Sequence, residues 1–335
     1  MLKTALKKVV DGKNLTIQEA GDLIDFISEG NALPAQIAAF LTALKMKGET
    51  PEEITGFALK MRELAPEINL NGVDIIVDSC GTGGDSANTF NISTASAIVA
   101  SSSGLHVAKH SNFGFTSKCG SSNVLDALGI SLVDTPDSVS DNLKNNNIAF
   151  IHAPYFHKCT AQVNDVRKDL GIRTVFNFLG PLTNPTRPTG QVLGVACPKL
   201  CPKIAETLKN LGCKKALVVN AQNPAMDEIS ICGKTLIYKL ENGKIESFEI
   251  HPEDFGLKIA NLKDISGGTP EVNARIIEDI FEGKITDAKL DILLLNSAAL
   301  LLVGNKTNSL EEGIKSAQDL INSGRTLEKL QELRK

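Results

Sequence analysis

No lysine-rich or arginine-rich tract interrupts the 335 residues, and the formal net charge is −4. Coating a nucleic acid draws on clustered positive charge, so that class of function is not expected; a local basic pocket for a phosphorylated small molecule remains open. The seven cysteines include no Cys-x-x-Cys pair, and the only close pair is Cys197 with Cys201. A structural zinc site is normally built from two tight pairs of Cys or His, so the thiols read as reduced residues of a cytosolic protein. The opening MLKTALKKVVDGKNL has neither a long apolar core nor a small-residue cleavage site. The most apolar stretch, 292–303, is too short and too polar at its flanks to span a bilayer. A soluble, cytoplasmic chain is expected, long enough for two domains or one large α/β domain.

What is present changes rhythm along the chain. Residues 1 to about 70 read as helix only. Thr16-x-x-Glu19 is a capping box, followed by Leu23, Ile24 and Ile27 at helical spacing as far as Gly30. Pro34 opens a second helix and Pro51 a third, ending near Pro66. Three short amphipathic helices bury little by themselves, so they must pack on the rest of the chain or on a second subunit. From Val73 onward, apolar strand candidates at 73–78, 105–109, 148–152, 192–196 and 215–219 alternate with helical or loop sequence. That alternation predicts an α/β domain with a largely parallel sheet. Residues 236–250 form two alternating runs joined by Glu241-Asn242-Gly243-Lys244, a hairpin signature. The last sixty or so residues return to helix.

Directly after the first strand stands Gly81-Thr82-Gly83-Gly84-Asp85. Bare backbone N–H groups at the carboxyl edge of a parallel sheet, before a helix N-terminus, suit a phosphate. No Gly-Lys-Ser/Thr closes the loop, and Ser86 stands where a dinucleotide fingerprint needs its third glycine, so both of those motifs are excluded. Thr89, Asn91, Ser93 and Thr94 supply hydroxyl and amide groups where the next helix begins, although Ser93 also suits a plain N-cap. Lys109 and His110 follow one strand later, with the lysine a natural phosphate counter-charge. Residues 117–122 offer a second Gly/Ser loop before another helix, and two such cradles suit a ligand with phosphates at both ends, as in a phosphoribosyl diphosphate. Asp227 and Glu228 are hard oxygen ligands fit for Mg²⁺ facing a diphosphate, or else surface charge. Arg167 and Arg173 are candidates to clamp a carboxylate, or else helix-face partners of Asp165 or Asp169. Residues 177–185 read as a Gly/Pro hinge. No Ser-His-Asp order or activated cysteine supports a covalent nucleophile.

Taken in order and spacing, residues 81–85, 89–94, Lys109-His110, 117–121, 167–177, 180–185 and Asp227-Glu228 resemble the anthranilate phosphoribosyltransferases, of the nucleoside phosphorylase/phosphoribosyltransferase superfamily. The resemblance covers nearly the whole chain. It implies an α/β fold, nucleoside phosphorylase-like, with a small helical domain and a larger α/β domain whose mostly parallel central sheet is flanked by helices. Residues 1–70 plus about 165–185 would form the helical, dimerising, acceptor-side domain; 71–164 plus 186–335 would bind the donor. It implies that Gly81, Thr82, Gly83, Gly84, Asp85, Thr89, Asn91, Ser93, Thr94, Lys109 and Ser121 hold 5-phosphoribosyl 1-diphosphate. His110, Asn112, His157 and Arg167 would meet anthranilate, with Arg167 and Lys109 serving the reaction. Ser93, Asp227 and Glu228 would bind Mg²⁺. The activity implied is phosphoribosyl transfer to the anthranilate amine in tryptophan biosynthesis, by a cytoplasmic homodimer with no nucleic-acid or membrane partner. The family usually reads Lys-His-Gly-Asn-Arg after the second strand; here Ser111 and Phe113 replace the glycine and the arginine, which leaves Arg167 as the carboxylate anchor. A pyrimidine-nucleoside phosphorylase and a non-catalytic nucleic-acid-binding paralogue are the competing expectations.

Overall fold

Capping chemistry sets the N-terminal helices. The computed structural model describes residues 1–85, 87–111, 119–157 and 160–334. It opens with α1 (Leu2–Val10), α2 (Ile17–Ser28), α3 (Pro34–Lys47) and α4 (Pro51–Leu64). Thr16 and Glu19 form the expected box at the start of α2, and Thr50 with Glu53 forms another at α4. Glu53 is fully buried, yet its carboxylate accepts the Leu15 N–H at 2.9 Å and the Lys47 ammonium at 2.9 Å, so the buried charge is paired. One helix more than the three expected is present. Helix α1 buries only Leu2, Ala5 and Val9 between lysines, too short a stripe to stand out in sequence.

The α/β part then runs β1 (Ile76–Gly81), α5 (Ile92–Ser101), β2 (His106–Ser111), α6 (Ser121–Ala127), α7 (Pro136–Asn146) and β3 (Ile148–His152). Short helices α8 (Ala153–Phe156), α9 (Ala161–Leu170) and α10 (Phe176–Leu179) lead to β4 (Gly190–Gly194), α11 (Cys201–Asn210) and β5 (Lys215–Gln222). After β6 (Ala225–Met226) come the hairpin β7 (Thr235–Glu241) and β8 (Lys244–Ile250), then α12 (Pro270–Phe281), α13 (Ala288–Val303), α14 (Leu310–Asn322) and α15 (Arg325–Leu333). The sheet order is β3-β2-β1-β4-β5-β7-β8, with β6 paired to β5. β3 through β5 are parallel, and β7, β8 and β6 are antiparallel additions. The hairpin turns at Asn242 and Gly243, both with positive φ, as its Asn-Gly sequence predicts.

Successive strand residues face opposite layers. Val192, Leu217 and Val219 join α5, α12, α13 and α14 in one core. Leu193, Ala216 and Val218 join a second core with α1–α4, α11 and Val163, Val166, Val175 and Phe178. Helix α13 is buried nearly all round, which explains its unbroken apolar sequence. This is the small helical domain plus larger α/β domain, with a mostly parallel sheet, that the sequence predicts. The strand order reverses at β1, whose neighbours β2 and β4 lie on opposite sides, so a crevice opens at the carboxyl ends of β1 and β4.

Candidate active site

The glycine loop leaves β1 in that crevice. β1 ends three residues later than its apolar run, because the ladder to β4 continues through Cys80 with Leu193 and Gly81 with Gly194. Gly81 is therefore strand, and its missing side chain makes room for a neighbour: a Cβ there would overlap the Asp227 carboxylate. The Thr82 N–H donates to the Gly194 carbonyl at 2.8 Å, and the Gly83 N–H donates to Asp227 Oδ2 at 2.7 Å. The first half of the loop is thus braced, with the Thr82 and Gly83 N–H groups spent within the protein. Asp85 accepts the Ala87 N–H at 3.2 Å through one oxygen and the Asp227 N–H at 3.4 Å through the other.

Asp227 and Glu228 follow β6, seated against the loop rather than on an open surface. A Cβ on Gly194 would overlap the Asp227 backbone carbonyl, so the two chains touch at their main chains. Burial, then the neighbouring Asp85 carboxylate, raises the Asp227 carboxyl pKa. Burial and Asp227 push Glu228 up to about 8, opposed by the charge of Lys109. Lys109 lies near the end of β2 and is 2% exposed. Its ammonium donates to the Ser79 carbonyl and, at 3.2 Å, to the Ser93 hydroxyl. Ser93 sits in the first turn of α5, and its N–H faces Glu228. Loop, lysine, serine and carboxylates therefore converge on one point.

Burial and repulsion at the two carboxylates outweigh the single charge of Lys109, which fits a divalent cation. Among the described residues no group of three or more His, Cys, Asp or Glu is disposed to enclose a metal. Magnesium suits this: it uses one or two carboxylates and takes its other oxygens from water and phosphate.

The other residues singled out from sequence divide. Thr94 is buried with no partner for its hydroxyl among the described residues. Thr89 bridges to Ser266, and Ser121 begins α6. Asn91 is fully engaged: its Nδ2 donates to the Cys119 carbonyl at 3.2 Å, and its Oδ1 accepts from Asn273 at 2.9 Å. Asn273, on α12, also accepts the Gly268 N–H at 2.7 Å. Neither Asn273 nor the 265–268 segment that bonds residues 88–90 was among the sequence candidates. The Gly267-Gly268 doublet was the available signal. Asn112, Phe113, Ser117 and Lys118 lie outside the described residues. Ser111, at the end of β2, is buried, its hydroxyl turned back to the Lys109 carbonyl at 3.4 Å.

His110 and His157, both expected to meet the acceptor, lie edge-to-face at 5.2 Å. His110 Nδ1 bonds the Gly180 carbonyl at 3.0 Å, and its Nε2 has no partner among the described residues. Burial, then His157, pushes His110 down to about 3; burial pushes His157 down to about 4. Both rings are neutral at pH 7. Arg62 donates to the Leu182 carbonyl at 2.8 Å, and Asn184 joins Asp78 Oδ2 at 3.0 Å to the Ala108 carbonyl at 2.7 Å, so the 180–184 segment is pinned beneath the site. Arg167 is half-buried on α9, its guanidinium carbon 6.0 Å from the Phe176 ring centroid and Nη1 3.3 Å from Asn164 Oδ1. Arg173, the second candidate for a carboxylate clamp, reaches the carbonyls of Thr82 and Gly83.

This geometry has counterparts among known proteins. A model of the glycosyl transferase family helical bundle domain matches residues 3–65, and that of the family's a/b domain matches 73–327. An anthranilate phosphoribosyltransferase from Acetivibrio thermocellus is 48% identical over 332 residues, covering 99% of this chain and 95% of that one. The crystal structure of the enzyme of that name from Thermus thermophilus superposes with a TM-score of 0.92 at 35% identity, over 98% of both chains. That from Saccharomyces cerevisiae, in complex with PRPP and Mg, gives 0.89 at 30% identity over 99% of this chain and 96% of that one. On this full-length similarity, the chain belongs to the anthranilate phosphoribosyltransferase family.

Proposed function

We propose that the chain transfers the phosphoribosyl group of 5-phosphoribosyl 1-diphosphate to the amine of anthranilate, releasing diphosphate, in tryptophan biosynthesis. The observation that carries this is the convergence, at the sheet's switch point, of the glycine loop, Lys109 and Ser93 with the Asp227–Glu228 pair. Asp227, Glu228 and the Ser93 hydroxyl would hold a Mg²⁺ ion, which would supply Lewis-acid charge against the diphosphate. The chain's own part is preorganisation. As the bond from ribose C1 to diphosphate breaks, negative charge gathers on the leaving group. The Lys109 ammonium and the Gly84 N–H, beside the N-terminus of α5, are the groups that would meet that charge. Thr89, Thr94 and Ser121 supply further polar contacts to the donor, and Asn91 braces the cradle.

Anthranilate brings an amine that is already nucleophilic. The His110 and His157 rings, neutral and set edge-to-face, line the acceptor's place without taking up a proton, and Arg167 orients its carboxylate by paired N–H donors. Asn112 belongs to the same acceptor set by family resemblance. Residues 1–70 with about 165–185 act as the acceptor-side domain, and the exposed Leu33 and Met46 of the helical bundle suit a cytoplasmic homodimer.

Loss of anthranilate fluorescence on mixing with donor and Mg²⁺ tests the activity. The double variant Asp227→Asn/Glu228→Gln is expected to lose metal-dependent turnover by at least a hundredfold. Undiminished magnesium dependence in that variant sinks the metal assignment. Phosphorolysis of thymidine by the wild type, without anthranilate consumption, replaces the transferase with a phosphorylase.

A further inference from the structure

Gly171, left-handed at φ +61°, ends α9 and releases the chain so that Arg173 swings toward the donor loop. Its Nη2 donates to the Gly83 carbonyl at 2.9 Å and reaches the Thr82 carbonyl at 3.4 Å. Its Nη1 occupies the space that a Cβ on Gly84 would fill. A trans peptide points its C=O and N–H in opposite directions. A cation gripping the Thr82 carbonyl on one side therefore presents the Gly83 N–H on the other, where Asp227 takes it at 2.7 Å. The same grip on the Gly83 carbonyl turns the Gly84 N–H away from Arg173. Glycine at 84 answers two demands at once, a φ of +78° and room for the guanidinium.

We infer that Arg173 is a positioning residue for the donor: from the α9–α10 segment it sets the peptide planes of residues 82–84, instead of clamping the acceptor carboxylate. The inference rests on residues 81–85 being the diphosphate cradle. It makes Arg173 and Arg167, six positions apart, serve different substrates. It also makes the segment carrying the acceptor anchor the one that fixes the donor loop.

The test uses the full chain, with steady-state kinetics in both substrates, calorimetric binding of 5-phosphoribosyl 1-diphosphate with Mg²⁺, and a thermal melt. For Arg173→Gln, donor KM and donor Kd are expected to rise about tenfold, the loss of one charge-assisted hydrogen bond. Anthranilate KM and melting temperature stay put, and Arg173→Lys falls between. Gly84→Ala is expected to impair donor binding too, but less in the Arg173→Gln background, because the guanidinium it displaces is already gone. A rise in anthranilate KM with donor KM unchanged makes Arg173 an acceptor clamp and overturns the inference. Unchanged constants, or a drop in melting temperature with both KM values rising together, overturn it as well. Wild-type enzyme that consumes no anthranilate overturns the underlying site, which separates that failure from this one.

Discussion

Asp78 on β1 and the pair formed by His110 on β2 and His157 at the end of α8 shift in opposite directions. Burial holds the Asp78 carboxyl up at about 6, against the pull of Lys109 and Asn184. Its contribution to stability is present at low pH and is lost as pH rises through 6. His157 is the reverse: with its pKa near 4 instead of 6.5, the unfolded chain binds a proton that the native chain declines. Its contribution is present above pH 6.5 and is lost as pH falls toward 4. The wild-type profile mixes both trends, so the histidine is isolated by difference. Wild type should lose up to about 3 kcal/mol relative to His157→Gln between pH 7 and 4, read from urea melts. A difference that stays flat with pH removes the buried-neutral assignment. Individual residue types at this scale were open to inspection in sequence, but their partners were not. Asn91 meets Asn273 from the far end of the chain, and Arg173 looked like Arg167 until its reach to Gly83 was visible.

Among elements, the contact between β4 and the segment after β6 carries most of the site. Gly194 lies against the Asp227 main chain, and Gly81 against its carboxylate. Gly194→Ala should push residues 225–228 out of their seat and reduce turnover far more than it reduces stability, at least a hundredfold in kcat. Normal turnover in a well-folded variant means that the segment tolerates displacement. Helical periodicity, capping boxes and the Asn-Gly hairpin were legible because they are local. The true end of β1 was not, because only the ladder with β4, more than a hundred residues away, keeps Ser79, Cys80 and Gly81 extended. For the same reason, β2 runs past the expected end at Lys109 through His110 and Ser111, held extended by the ladder with β3.

For the whole molecule, helical bundle and sheet share one hydrophobic cluster, in which α2–α4 residues meet α11 and inward side chains of β4 and β5. Leu33 and Met46, 65% and 83% exposed on that bundle, should be covered by a second copy. Sedimentation is expected to give twice the 35.8 kDa chain mass. A monomer at micromolar concentration excludes the dimer, and Leu33→Glu/Met46→Glu should weaken it.

The sheet's two ends bear on how copies can meet. β3 is sealed at its outer side, where Val133 bonds to the Phe150 carbonyl and accepts from His152. β8 stays open but carries Lys244, Glu246 and Glu249 on an exposed ribbon. Neither margin invites another strand, since the first is bridged by Val133 and the second is a ribbon of exposed charged side chains. Open-ended fibres, which grow by strand addition, are thereby disfavoured at both margins of the sheet.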